Sequence, residues 1–250
     1  MMTRSLSARV LAPTCLALTL AASLPLGGCR ANPYPYRLRG DGAMEGGNYP
    51  LALESYQKYI EIDPGSPDMR NALGRAYLAS NRPVEAIEHL RVATLQAPEN
   101  DQYMDDLAEA YVRANRADEM YRLLRSNANE RGGVRDWIRL GRFAEKSGDA
   151  DVARQALLTA ARVDRGQNLA PQLALHDFFV RIGDARNADQ RLRMAYFISP
   201  RDPGVLRRLA DAGVADIPAN YGFVPAERLE ARTLEGSAAP ASAAPANQVR

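Results

Sequence analysis

Cysteine is nearly absent from this sequence, with Cys15 and Cys29 alone in 250 residues. A disulfide framework or a thiolate-rich zinc site needs more than that. Histidine is as scarce. His89 and His176 stand far apart in the chain, too few and too separated to suggest a metal site. There is one tryptophan, and aromatics total 7%. Set against plentiful Ala, Arg and Leu, that scarcity favours helix over strand. No phosphate loop, GxGxxG, HExxH or GxSxG pattern occurs. Only the start of the chain has an extended apolar run, and no other stretch reaches about 18 continuous apolar residues, so no transmembrane helix is predicted. Neither sign of charge dominates: 32 Lys and Arg face 30 Asp and Glu. What remains is a composition of 46% hydrophobic and 25% charged residues, that of a soluble globular chain of one domain or two.

The early apolar run has a recognisable layout. Arg4 and Arg9 precede it, Val10 to Leu24 forms it, and the small residues Ala21, Ala22 and Ser23 close it. Residues 1–28 therefore read as a secretory signal peptide, too short for a spanning helix. The stretch Leu26-Gly27-Gly28-Cys29 ends that segment and resembles the lipobox of bacterial lipoproteins. The resemblance implies lipidation of Cys29 on sulfur, cleavage just before it, and often acylation of the new amino group. It also implies attachment to the outer membrane on its periplasmic face, because Arg30 stands where an aspartate would direct retention in the inner membrane; the inner membrane is the alternative. Loss of residues 1–28 removes two arginines and no acids, so the formal charge falls from +2 by 2 to near zero. No basic patch then argues for nucleic acid.

Laid against itself, the chain repeats. Leu73-Gly74, Leu107-Ala108, Leu140-Gly141, Leu175-His176 and Leu209-Ala210 follow one another at steps of 34, 33, 35 and 34 residues. A second series, Ala52, Ala86, Met120, Ala153 and Ala188, has steps of 34, 34, 33 and 35. Each unit reads as two helices. Ala72, Leu73, Ala76 and Tyr77 share one helical face, and Ala86, Ile87, Leu90 and Ala93 share another. Asn81-Arg82-Pro83 makes the turn between them and Pro98 stops the second helix. Gly148-Asp149 and Gly183-Asp184 mark the same turn later.

This pattern resembles the tetratricopeptide repeat, carried best by Leu73, Gly74, Tyr77, Ala86, Leu90 and Pro98, with Trp137 three residues before Leu140 as the family has it. The resemblance implies an all-α helix-turn-helix solenoid, a right-handed superhelix of about five repeats plus a capping helix. The organisation expected is a signal peptide at 1–28, a tether at 29–35, the solenoid at 36–213, an irregular or short-helix extension at 214–234, and a disordered Ala/Pro/Ser tail at 235–250. The first helix, with Gly40 and Gly42, is expected to be frayed. The third unit is expected to pack loosely, because Met120 and Asn127 replace small residues.

Candidate chemistry is thin. Asp105, Asp106 and Glu109 cluster on one helix, but acids on an exposed helical face are ordinary. His89 is expected on the surface and His176 in the core. No catalytic residue, metal or cofactor is expected. The family resemblance implies that the first helix of each unit lines a concave groove. That places Asn71, Arg75, Leu78, Asp105, Glu109, Val112, Ile138, Arg142 and Glu145 on a mixed surface suited to an extended or helical segment of a partner protein. The Lys and Asn pattern that clamps a peptide carboxylate in this family is not reproduced.

The function expected is a lipid-anchored, noncatalytic protein–protein interaction scaffold of the bacterial envelope, its partners being envelope proteins and the membrane, with no nucleic acid or small-molecule substrate. In layout the chain is similar to lipidated repeat proteins of pilus and secretion systems, such as Tad-type pilus lipoproteins and secretin pilotins. An adaptor for outer-membrane protein assembly or for cell-wall enzymes is the alternative role. An enzyme subunit of cell-wall or polysaccharide metabolism is the rival class.

Overall fold

The computed structural model describes residues 32–214 and 216–237. The signal segment 1–28, Cys29 and the tail beyond Ser237 lie outside the described residues. Within them, twelve helices and no strand are found. They fall into five hairpins: α1 (Tyr34–Glu45) with α2 (Tyr49–Ile62), α3 (Pro67–Ala79) with α4 (Pro83–Gln96), α5 (Asp101–Arg113) with α6 (Ala117–Arg131), α7 (Val134–Lys146) with α8 (Ala150–Asp164), and α9 (Leu169–Arg181) with α10 (Ala185–Ile198). A shorter α11 (Pro203–Asp211) occupies the place of a sixth first helix, and α12 (Ala226–Ser237) follows an irregular stretch. The fold is an all-α solenoid of tetratricopeptide type.

The turn inside each hairpin is one device used repeatedly. A residue in the left-handed region ends every first helix: Gly47, Asn81, Asn115, Gly148, Gly183 and Gly213, with φ between +56° and +85°. The next amide then closes back on the helix, as Arg82 N–H does on the Tyr77 carbonyl at 2.9 Å, and Asp149 N–H on Ala144 at 2.9 Å. The left-handed residue itself donates to a nearer carbonyl, as Asn81 does to Leu78 at 3.0 Å. This paired arrangement satisfies carbonyls that the helix end would otherwise leave open. Gly and Asn tolerate it, which is why those residues recur at this step. Side-chain caps start many of the helices, with Asn48, Ser66, Asn100, Asp149, Asp184 and Asp202 each accepting from an amide of the first turn.

The two repeated series form the seam between paired helices. Ala52, Ala86, Met120, Ala153 and Ala188 are all buried, as are Leu73, Leu107, Leu140, Leu175 and Leu209. Gly74 and Gly141 sit where a β-carbon would run into Leu90 and Leu157, so their absent side chains set how closely the pairs approach. In the third unit, bulky Met120 fills this seam at 0% exposure, and α5 and α6 share the least extensive contact of the five pairs. The side-chain oxygen of Asn127 is buried there without a hydrogen-bond partner.

Three expectations change. The first helix is regular rather than frayed: Gly40 is buried because the Tyr56 ring packs over it, so tertiary contact outweighs poor propensity. The helix also begins at Tyr34, inside the span expected to be a tether. At the other end, α12 runs through Ser237, past the expected tail boundary at Glu235. The stretch before it is anchored by Tyr221, which is buried against the edge of the Tyr196 ring and donates to Asp189 at 3.0 Å. Helix α12 folds back toward α8, and Arg228 donates to the Gly166 carbonyl at 2.8 Å.

Candidate functional site

Successive first helices approach one another directly, α3 to α5, α5 to α7 and α7 to α9, whereas no pair of second helices among the described residues makes a comparable approach. A stack that is tighter on one side curves toward it. The first-helix layer is therefore the more closely packed side, the one expected to face inward when helix pairs stack.

The nine groove candidates divide on this face. Arg75 and Arg142 are exposed, and Asp105, Glu109 and Glu145 are half-buried. Val112 and Ile138 are half-buried and pack against the core. Two candidates are corrected. Leu78 is 8% exposed and belongs to the core with Ile87 and Leu90, because the α3–α5 contact closes over it. Asn71 is also buried, and its side-chain amide donates to Asp106 at 2.9 Å, so it ties α3 to α5 rather than facing a ligand.

The charged candidates are largely engaged with each other, one repeat apart. Arg142 on α7 pairs with Asp105 on α5 at 2.7 Å, and its guanidinium lies 4.9 Å from the centre of the Phe143 ring. Lys146 pairs with Glu109. Arg181 on α9 pairs with Glu145 on α7, and Arg208 on α11 with Asp177 on α9 at 2.6 Å. In each of these pairs the later helix supplies the cation and the earlier one the acid. Arg75 has no ion-pair partner among the described residues. The cations Lys146, Arg181 and Arg208 and the acid Asp177 were not among the sequence candidates. Pairs of opposite charge spaced by roughly one repeat were the available signal.

A denser knot sits at the start of α7. Arg139 is 4% exposed and bonds to Asp101, Asp105 and Asp136, each at 2.7 Å. Burial works against the charged guanidinium, but hydrogen bonds from it to Asp101 and Asp105 outweigh this and raise its pKa. Asp101 is held below the usual carboxylate range, first by its hydrogen bond from Arg135 and then by Arg139. Gly133 is part of the same knot, since a β-carbon there would meet the Asp136 carboxylate at 2.6 Å.

Two clefts open along the first-helix face. One of about 440 Å³ lies between α5 and α7 and is lined by Asp105, Asp106, Glu109, Arg142, Phe143 and Lys146. The other, of about 370 Å³, lies between α9 and α11, with His176, Asp177, Val180, Arg181 and Arg208 on its walls. Both are open to solvent and lined mainly by charged side chains, with Phe143 in the first and Val180 and Ala212 in the second. Their carboxylates accept hydrogen bonds or ion pairs from neighbouring Arg, Lys, Asn and Gln side chains, an arrangement suited to recognition.

The histidines take structural places. His176 is buried with Nδ1 3.0 Å from the Ala188 carbonyl. His89 is not a solvated surface residue as expected: it is half-buried, stacked on Tyr77 at 5.4 Å with the rings nearly parallel, and burial lowers its pKa. No group of three or more His, Cys, Asp or Glu able to hold a metal occurs among the described residues.

These features define a helical-repeat protein with a charged, cross-braced inner face. Residues 43–105 match the tetratricopeptide repeat family. No curated protein matches the chain. Solved structures similar to it include the MamA protein, at 18% identity over 74% of this chain and 98% of that one, with a TM-score of 0.49. PilW, a widely conserved type IV pilus biogenesis factor, is similar at 15% identity over 71% of this chain and 83% of its own, TM-score 0.48. PilF of Pseudomonas aeruginosa is similar at 20% identity over 81% and 97%, TM-score 0.47.

Proposed function

We propose that this chain is a noncatalytic scaffold, anchored by lipid on Cys29 in a bacterial envelope, that holds a segment of a partner protein along its first-helix face. The observation that carries the reading is the pair of open, charged clefts on that face, lined by first helices and their ends. A stack of rigid hairpins presents such a surface without further folding, so little ordering cost falls on the scaffold when it binds. The envelope location is supported by the signal-like segment and the Leu26-Gly27-Gly28-Cys29 stretch. Assistance to pilus or secretion-system assembly fits a lipidated solenoid of this layout, and an adaptor role in outer-membrane protein assembly fits it as well.

The test is photo-crosslinking in intact cells. A photoreactive residue at Arg75 or Arg142 samples the inner face, and one at Arg162, exposed on α8, samples a second helix. Capture of the same partner from Arg75 and Arg142, and not from Arg162, is expected. Capture from Arg162 alone overturns the groove reading. Turnover of a substrate by the purified chain without partners overturns the noncatalytic one.

A further inference from the structure

One row on the inner face is cationic over three consecutive units. Arg113, Lys146 and Arg181 lie in the last turns of α5, α7 and α9, at steps of 33 and 35 residues. A basic residue at a helix C-terminus complements the helix dipole. These three do more, because each reaches back across the stack. Arg113 donates to the Leu78 carbonyl at 2.8 Å and also pairs with Glu109 of its own helix at 3.3 Å, Lys146 pairs with the same Glu109, and Arg181 pairs with Glu145. In these ion pairs the acid is the recessed member. Glu109 and Glu145 are 25% and 18% exposed, against 52% for Lys146 and 57% for Arg181; Arg113 is 47% exposed. The carboxylates hold the inner side of the cations, and the outer side faces solvent. The next pair reverses the order, with Arg208 at 27% and Asp177 at 37%, so the row ends at α9. Lys146 borders the first cleft, and Arg181 borders the second beside the 56% exposed Val180.

We infer that Arg113, Lys146 and Arg181 form a rail for an acidic, extended segment of a partner protein, with one carboxylate set against each cation. The inference rests on the groove reading above and adds the chemistry of the partner. Spacing selects the conformation. Packed helices lie about 8–10 Å apart. A polyproline II segment rises about 3.1 Å per residue and turns once in three, so Asp or Glu at every third position project from one side about 9 Å apart. A β-strand alternates its faces and sets third neighbours on opposite sides. The preferred ligand therefore carries an acid at every third residue in a Pro-rich or similarly extended background. Each contact is a charge-assisted hydrogen bond to a half-exposed cation, so binding weakens with salt.

The test uses the full chain in detergent and fluorescence anisotropy of a labelled peptide with Glu at every third position in a Pro-Ala background. Two comparison peptides carry Lys in place of Glu, or the same Glu residues adjacent to one another. The spaced Glu peptide is expected to bind best, and about tenfold more weakly to the combined Arg113→Gln, Lys146→Gln, Arg181→Gln variant. A Lys146→Arg, Arg181→Lys variant keeps the charges and is expected to retain binding, with helical circular dichroism checking both folds. Equal binding of the Lys or the clustered peptide overturns the rail. So does recovery of acid-poor segments by crosslinking at Arg142, an outcome that leaves the groove reading standing. Failure of Arg142 to capture any segment removes the groove reading itself.

Discussion

Arg139 donates to Asp136 at 2.7 Å although both side chains are almost wholly buried, at 4% and 6% exposure. Two charges on adjacent turns of α7 have left water together, and the arrangement holds because Asp101 and Asp105 of α5 share the guanidinium. The knot joins the third and fourth units where α5 and α6 are loosely paired. Arg139→Met is expected to cost about 3–5 kcal/mol, since the buried Asp136 is left with only Arg131 at 3.8 Å, while Asp101 keeps Arg131 and Arg135 and Asp105 keeps Arg142. Arg142→Met, on a pair that is exposed at 57% on the arginine side, is expected to cost about 0–1 kcal/mol. Urea denaturation of the two variants measures the difference. Equal costs would show that burial does not distinguish the two pairs.

The seam glycines give a second contrast. A β-carbon at Gly74 would lie 2.4 Å from Leu90 Cγ, and one at Gly141 would lie 2.7 Å from Leu157 Cγ. Both leucines are fixed in the core. Gly74→Ala and Gly141→Ala are expected to destabilise by about 1–3 kcal/mol through overpacking, despite the better helix propensity of alanine. Gly42, also helical, has nothing within 4 Å of the same position. Gly42→Ala is expected to stabilise by about 0.5–1 kcal/mol. Thermal melts of the three variants should therefore move in opposite directions, and a common direction would count against the packing argument.

The repeat was legible in the sequence because its signals are of the kind that packing enforces. Leu73 and its equivalents, the small residues from Ala52 to Ala188, and the Asn81 and Gly148 turns all recur since each unit must meet the next in one geometry. The loosened third unit was legible too, from Met120 and Asn127. Charge was not. Asp136 and Arg139 drew no attention, because nothing local distinguishes a charged residue that will be covered by the neighbouring unit. Leu78 failed in the opposite direction: family geometry places it toward the groove, but the approach of α5 covers it. Gly40 in α1 argued against a helix until Tyr56, sixteen residues later, supplied the reason for a glycine. What escaped in each case was a contact with another helix whose residues are a hairpin arm or a full repeat away.

Acid should loosen the C-terminal end first. Glu227 on α12 is 7% exposed and pairs with Arg191 at 2.5 Å, with Gln172 also donating to it at 3.3 Å. Burial alone would raise its pKa, but the hydrogen bond and charge of Arg191 prevail and hold it below the usual glutamate range. The folded carboxyl thus binds its proton less readily than the unfolded one. Its contribution to stability is complete above the ordinary glutamate value, about 4.3, and is lost as pH falls through the lowered folded value. Hydrogen exchange of α12 is expected to accelerate over that window in the native chain. In Glu227→Gln exchange should be faster at neutral pH and flat across the same window. A variant that kept the native pH dependence would assign the effect to another group.

Attachment to the membrane is the remaining point on which the scaffold reading can be tested directly. No helix among the described residues is long and apolar enough to cross a bilayer. The proposed anchor is lipid on Cys29. One acyl chain binds membranes only marginally, whereas two or three give a stable anchor. Cys29→Ser removes every chain at once. The variant is expected to move from the membrane fraction to the soluble one and to keep its helical circular dichroism and melting temperature, because the hairpins from α1 onward pack without that residue. Alkaline carbonate washing of fractionated cells separates anchored from loosely bound protein. Should Cys29→Ser remain with the membrane after the wash, the lipid reading fails, while the inner-face reading still stands or falls by its own crosslinks.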